Sequence, residues 1–185
     1  KPSKYGVDSC VERFRRGFMP NATDPYLQSM TPSELEGSAI ETHVIVEYVQ
    51  TNLSYLRQLE KGNEPTLLAL VGVQSHQFQR SLDLAAYALE HGVEHCIIGG
   101  PHPMTCDTSM LHHRGVSFAL SEAEPIWTTI LRDALAGELA PVYGAGHRWQ
   151  AKLDAPVLKP PSRRDMRRYV IPMLGIYPAR GCPYT

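Results

Sequence analysis

The sequence predicts an α/β domain built on a doubly wound parallel sheet, and three observations carry this prediction. Strand-like and helix-like patterns alternate along residues 42–138. The runs at 66–73 and 93–98 are continuously apolar, which is typical of strands covered on both faces. The second run ends in Gly99 and Gly100, as expected where a buried strand delivers the chain into a loop.

The composition fits one globular domain with extensions. The chain has 185 residues, of which 43% are hydrophobic, so it can bury a full core. Its 18 Lys and Arg residues nearly balance its 19 Asp and Glu residues, so no strong field favours nucleic acid or an anionic membrane. No apolar run approaches the ~20 residues that span a bilayer, and the first residues lack the apolar core of a signal peptide. We therefore expect a soluble, cytoplasmic protein with no nucleic-acid or membrane partner.

The beginning of the chain predicts one helix and no strand. Prolines interrupt residues 1–38, and the clearest pattern is a helix over 26–37. Thr31 would cap this helix and Pro32 would occupy its first turn. The lack of a first strand is unusual for an α/β domain, so either a strand lies upstream of Lys1 or the fold starts irregularly.

From residue 42 onwards the sequence predicts regular elements. Strands are expected over residues 42–49, 66–73, 93–98 and 116–120. Helices are expected over residues 52–61, 78–91 and 108–113, with a loop over 99–107. Ser121 and Glu124 would form the capping box of a last helix that ends before Gly137. With a further strand upstream, these elements make the five strands of a flavodoxin-like (Rossmann-type) domain.

The predicted organisation has three parts. Residues 1–138 form the α/β domain. Residues 139–178 are rich in proline, which predicts an extended linker. Near its end, residues 169–177 have a strand-like pattern, and residues 179–185 then form the start of a further domain.

The four cysteines are irregularly spaced, with neither a CxxC pair nor a zinc-type arrangement among them. A disulfide framework is not expected in a domain of this size. Cys96 lies inside an apolar run and is expected in the core.

The last six residues, RGCPYT, resemble the opening of the RGCPxxCxxC motif of radical S-adenosylmethionine (SAM) enzymes. Three cysteines of that motif hold a [4Fe–4S] cluster and leave one iron open for SAM. With GGPHP at 99–103 and the proline-rich linker, residues 44–185 resemble the cobalamin-binding (class B) radical SAM enzymes. The resemblance makes Cys182 the first cluster ligand. It also implies an amino-terminal cobalamin-binding domain, followed by a partial β/α barrel beyond Thr185.

The resemblance further assigns cobalamin-binding residues that follow three of the predicted strands. In chain order these residues are Gln74, Ser75, His76, Gly99, Gly100, Pro101, His102, Ser121 and Glu122. The nucleotide tail of cobalamin would pass beside Gly99 and Gly100, where the missing Cβ atoms would leave room.

Two features depart from the family's patterns. Ser121 stands where the family's GExE motif has its glycine, which puts a close backbone approach there in doubt. The DxHxxG motif, which places a histidine below the cobalt, is absent, and HHRG at 112–115 lies in the wrong part of the domain. We therefore expect no histidine ligand to cobalt from this chain, and we expect His76 and His102 to be hydrogen-bonding residues.

The function implied by the resemblance is methyl transfer to a poorly activated carbon. Cobalamin, a [4Fe–4S] cluster and SAM are the implied cofactors, and the implied partners are a small-molecule or peptide substrate and an external electron donor. This part of the enzyme would not be catalytic alone. Two alternatives stay open: a radical SAM cyclase or rearrangement enzyme, and a non-catalytic flavodoxin-like binding module. Phosphate-binding and hydrolase motifs are absent from the sequence.

Overall fold

The computed structural model of the chain describes residues 20–47, 66–146, 162–173 and 175. The first element is helix α1 (Thr23–Met30), followed by an antiparallel hairpin of β1 (Glu34–Leu35) and β2 (Ser38–Ala39). We call residues 20–39 the strap, because they run along a later helix on one face of the main sheet.

The main sheet has four parallel strands that lie side by side in chain order. They are β3 (Leu67–Leu70), β4 (His95–Gly99), β5 (Val116–Ala119) and β6 (Val142–Tyr143). One row of the register runs across all four strands, because Ile98 pairs with Leu70 and Phe118, and Phe118 pairs with Val142. The strand predictions at 66–73, 93–98 and 116–120 are confirmed by these pairings.

Helices connect the strands and cover both faces of the sheet. They are α2 (Ser75–Glu90), α3 (Pro101–Thr105), a 3-10 helix (Ser109–Arg114) and α4 (Trp127–Ala136); α5 (Arg163–Met166) follows after the sheet. None of the helices in the described parts of the chain has the length and apolar character that a membrane crossing requires.

Alternation along β4 divides the core into two layers. Cys96 and Ile98 face α2, whereas Ile97 between them faces α4, because successive side chains of a strand point to opposite faces. Phe118 of β5 is fully buried in the α2 layer, and Ile130 of α4 is buried in the opposite one. Burying side chains of this size stabilises the fold by roughly 1.5–3 kcal/mol each. The predicted α/β class, with helices on both faces of a parallel sheet, is therefore confirmed.

Two predictions for the first part of the chain are wrong. The helix expected over 26–37 is α1 instead, and Thr31 is the residue that ends it, with its hydroxyl donating to the Leu27 carbonyl at 2.9 Å. The proline after Thr31 explains this, because a residue before proline is disfavoured in the helical conformation. The strand expected over 42–49 does not form over residues 42–47, and the helix expected over 52–61 lies outside the described residues.

The capping box expected for the last helix is also wrong. Helix α4 begins at Trp127, and the Ser121 hydroxyl donates to the adjacent Glu122 carbonyl at 3.0 Å instead of capping the helix. Pro125 explains the delay, because it disfavours helical backbone in the residue before it. The carboxylate of Glu124 binds the strap, as described below.

Four smaller differences concern element bounds. Helix α2 begins at Ser75, three residues before its expected start, and the loop expected over 99–107 contains α3. Strand β6 and helix α5 lie within residues 139–178, for which the sequence predicts an extended linker. The strand-like pattern at 169–177 forms no strand over residues 170–173, and its end lies outside the described residues.

A buried ion pair joins the irregular segment before residue 48 to α2. The Arg80 Nε donates to the Glu47 Oε1 at 3.0 Å, and the two side chains are only 5% and 4% exposed. Ile45, two residues before Glu47, packs against the core layer that α2 covers. The pair therefore fixes residues 45–47 to α2 without any strand pairing of these residues.

We expect Arg80→Met to lower the free energy of unfolding by about 3–5 kcal/mol, because Glu47 would lose its buried counter-charge. Urea denaturation followed by circular dichroism measures the loss. The matched control is Arg132→Met, which breaks the exposed pair between Arg132 and Glu36; it should cost less than about 1 kcal/mol. Equal losses in the two variants would contradict the assignment.

Candidate functional site

The carboxyl ends of β3, β4 and β5 meet at one edge of the sheet, because the three strands are parallel and in register. In open α/β sheets, ligands bind in the crevice outside this edge. The loops after β3 and β4 are joined by two backbone hydrogen bonds. The Val73 N–H donates to the Gly99 carbonyl at 3.0 Å, and the His102 N–H donates to the Val73 carbonyl at 3.0 Å. Candidate residues that are far apart in the sequence thus become neighbours.

Gln74, Ser75 and His76 form the start of α2, and all three are exposed at this edge. The backbone N–H of Gln74 donates to the Gln77 Oε1 at 3.1 Å, which secures the first turn of the helix. Gln77 is itself buried, and its backbone N–H donates in return to the Gln74 side chain, so the start of α2 is fixed in position. The exposed side chains of Ser75 and His76 lie beside it at the edge, where they can contact a ligand.

His102 links the loop after β4 to the start of α2. Its Nδ1 lies 3.1 Å from the Ser75 Oγ, within hydrogen-bonding distance. Its ring also packs on Phe78, with centroids 4.0 Å apart. Pro101 precedes it as the first residue of α3, a position where proline's missing N–H costs nothing. The imidazole is therefore oriented from two sides at the sheet edge.

The two glycines at the end of β4, Gly99 and Gly100, make close contacts within the chain. Gly100 has φ 139° and ψ −173°, a conformation essentially restricted to glycine. A Cβ on Gly100 would lie 2.1 Å from the Val73 nitrogen, and one on Gly99 would lie 3.2 Å from the Ala119 Cβ. The expectation that a missing Cβ leaves room for a ligand is therefore wrong at Gly100, because the chain's own backbone fills that space.

Ser121 and Glu122 follow β5 at the same edge, and both are partly buried. Ser121 lies against Gly144, which follows β6: a Cβ on Gly144 would be 2.3 Å from the Ser121 Oγ. Ser121 therefore packs against the chain's own backbone just after the neighbouring strand. Sequence reasoning missed Gly144, and the only signal was a glycine after a two-residue apolar run.

The described cysteines differ in their surroundings. Cys96 is fully buried, with its Sγ 3.8 Å from the Ala85 carbonyl oxygen, so its predicted place in the core is confirmed. Burial raises the pKa of the Cys96 thiol to about 12, which leaves it protonated and unreactive near neutral pH. Cys106 is exposed. The proposed cluster ligand Cys182 lies outside the described residues.

Within the described residues, no three His, Cys, Asp or Glu side chains lie close enough together to bind a metal ion. His112, from the HHRG sequence, lies in the connection that enters β5 at its amino end. Its ring packs near Phe118, with centroids 5.6 Å apart. The His112 ring therefore borders the core layer that α2 covers, to which Phe118 belongs.

Comparison with known proteins adds no assignment: no family model, no curated protein and no solved structure matches this chain. What the site can do must follow from its geometry. Exposed amide, hydroxyl and imidazole groups on one side of the edge can hydrogen-bond a polar ligand. The closely packed glycine backbone gives that edge a fixed shape.

We expect Gly100→Ala to lower the free energy of unfolding by about 3 kcal/mol or more, because it adds backbone strain and a direct overlap with Val73. Gly137→Ala is the matched control, since Gly137 also has a positive φ, 74°, but open space around it. It should cost about 1–2 kcal/mol. Urea denaturation of both variants measures the difference, and similar losses would contradict the tight contact.

We expect the alkaline stability of the protein to depend on Cys96. The unfolded chain releases this proton near the ordinary pKa of 9.0, but the folded chain holds it to about 12. Stability is thus complete below pH ~9 and is lost above it, by about 1.4 kcal/mol per pH unit from this one group. Urea denaturation from pH ~8 to ~11 should show this slope reduced in Cys96→Ala and unchanged in Cys106→Ala. Equal slopes in wild type and Cys96→Ala would contradict the assignment.

Proposed function

We propose that this chain is the cobalamin-binding part of a radical SAM enzyme, most simply a methyltransferase that acts on a poorly activated carbon. One observation carries the proposal. Three segments that the family resemblance assigns to cobalamin follow neighbouring parallel strands and share one sheet edge. That edge is where a doubly wound sheet binds its ligands.

The proposal includes a finer fold assignment, a flavodoxin-like sheet of strand order 2-1-3-4-5. In this arrangement β3, β4 and β5 would be the third, fourth and fifth strands, and β6 would be an added strand beside β5. Two observations support it: these strands are adjacent in chain order, and α2 and α4 cover opposite faces. We expect the enzyme to act in the cytoplasm.

The described residues fit a large polar ligand at the edge. Gln74, Ser75 and His76 would donate and accept hydrogen bonds, and His102 would present an imidazole already oriented by Ser75 and Phe78. Gly99 and Gly100 would act indirectly, by holding the loop after β4 against the loop after β3. Pro101 would start α3, and Ser121 and Glu122 would close the edge on the side of β5.

Cobalamin, when bound, would supply a carrier for the methyl group. The [4Fe–4S] cluster and SAM would be bound by Cys182 and by residues of a following barrel, which would also bind a small-molecule or peptide substrate. An external electron donor would reduce the cluster. Under this proposal the described residues would bind and orient cobalamin, and bond breaking would take place in the barrel.

A second candidate is a non-catalytic α/β binding module, and one observation favours it. Gly99 and Gly100 are both explained by contacts within the chain, so they do not by themselves require a ligand. Under this hypothesis, Ser75 and His102 would only stabilise the start of α2.

The test is corrin retention by the full chain. The protein is incubated with hydroxocobalamin, separated from free ligand by gel filtration, and examined by ultraviolet–visible spectroscopy. Wild type should retain corrin absorbance. Ser75→Leu, which removes the hydroxyl and puts a bulky side chain on the exposed edge, should weaken binding about tenfold, because a lost neutral hydrogen bond of ~0.5–1.5 kcal/mol adds to a steric obstacle.

Gln79→Leu is the matched control, because Gln79 is exposed on the same helix one turn farther from the edge. It should bind corrin like wild type. No retention by wild type, or equal retention by Ser75→Leu, would overturn the proposed site and favour the module.

A further inference from the structure

We infer that Tyr26 is a positioning residue for the loop after β5: its hydroxyl holds Glu124 and thereby sets the place of Ser121 and Glu122 at the site. As far as cobalamin is concerned, this inference rests on the proposed function. The positioning itself is a property of the chain and is testable without a ligand.

The strap makes three side-chain contacts, at successive positions along the chain, with α4 and the residues just before it. The Tyr26 hydroxyl donates to the Glu124 Oε1 at 2.6 Å. Farther along, the Trp127 Nε1 donates to the Thr31 Oγ1 at 2.9 Å, and the Arg132 Nε lies 2.9 Å from the Glu36 Oε1. The strap and α4 therefore run side by side in the same direction.

Of these three contacts, only the one from Tyr26 reaches the loop. Thr31 and Glu36 contact α4 itself, which the buried side chains of Ile130 and Leu131 already anchor to the sheet. Residues 121–125 instead form an irregular connection between β5 and α4. A contact to this connection can decide its position, whereas a contact to α4 adds to an element that is already fixed.

The hydrogen bond from Tyr26 is suited to this task. A hydroxyl donating to a carboxylate is charge-assisted, and such bonds are short and about twice as strong as neutral ones. Tyr26 is buried at 8% exposure, so its ring cannot reorient freely, and the bond joins residues 98 positions apart. The loop is thus tied to the strap at Glu124, three residues after Ser121, which itself lies against Gly144.

The experiment compares Tyr26→Phe with Thr31→Val in the full chain. Each variant removes one hydroxyl from the strap, and therefore one hydrogen bond to the α4 region. Hydrogen exchange measured by mass spectrometry on peptides covering residues 120–126 reports the order of the loop without any ligand. Hydroxocobalamin affinity, measured by spectroscopic titration, reports the site.

Tyr26→Phe should raise exchange in residues 120–126 at least about tenfold, as expected for a lost bond to a charged group. It should weaken hydroxocobalamin binding roughly fivefold, because only part of the population would hold the loop in its competent position. Thr31→Val should change neither quantity more than about twofold, even if it lowers the melting temperature. Glu124→Gln keeps an oxygen acceptor for the Tyr26 hydroxyl. Hydrogen exchange in residues 120–126 should therefore be slower in Glu124→Gln than in Glu124→Ala.

Equal loop exchange in Tyr26→Phe and wild type would overturn the inference, as would the same increase in Thr31→Val. If wild type binds no hydroxocobalamin, the proposed function fails while the exchange data still decide the positioning role. Raised exchange in Tyr26→Phe with unchanged affinity would show an ordered loop that does not serve the site, and would overturn the inference for Ser121 and Glu122.

Discussion

The close approach of Gly100 to the Gly72–Val73 backbone is the constraint on which the sheet edge depends. It is possible only without a side chain, since a Cβ would lie 2.1 Å from the Val73 nitrogen. Two backbone hydrogen bonds then join the loops after β3 and β4. The same approach places His102 beside Ser75. The absence of a side chain at position 100 therefore brings together two groups that could bind a ligand. Glycine here shapes the site from within rather than by leaving a space.

The two faces of the sheet are secured by different means. On the α2 face, a buried ion pair between Arg80 and Glu47 holds an irregular segment against the core. Such a pair contributes little net stability compared with apolar side chains, but breaking one half of it is costly. On the other face, the strap follows α4 through contacts of graded burial, from the buried Tyr26 to the exposed Glu36. The contact made by the buried Tyr26 lies closest to the sheet edge.

If cobalamin binds at this edge, the site would combine rigid and adjustable parts. The loops after β3 and β4 are joined by hydrogen bonds between backbone atoms, and their close approach requires glycine at position 100. The loop after β5 depends instead on side chains, namely Ser121 against Gly144 and Glu124 against Tyr26. Variation in ligand position would therefore arise more readily on the β5 side.

The sequence by itself determined the three long strands of the sheet, the class of fold and the place of Cys96 in the core. Short apolar runs between turn residues are typical of strands covered on both faces, so these features are local and readable. The strands' parallel order also made it predictable that Gln74 to His76, Gly99 to His102, and Ser121 with Glu122 would share one edge.

Tertiary structure alone decided β6, the partner of Gly100, the ion pair of Arg80 with Glu47, and the contact of Tyr26 with Glu124. Each joins residues distant in the chain, and β6 has only two residues, too few for any periodic pattern. Residues 42–47 show most clearly where prediction from local sequence fails. Their β-branched composition favours a strand, yet Glu47 is buried beside Arg80 and the segment follows an irregular path. Local propensity is worth less than such packing, because it amounts to only about 1 kcal/mol in strands.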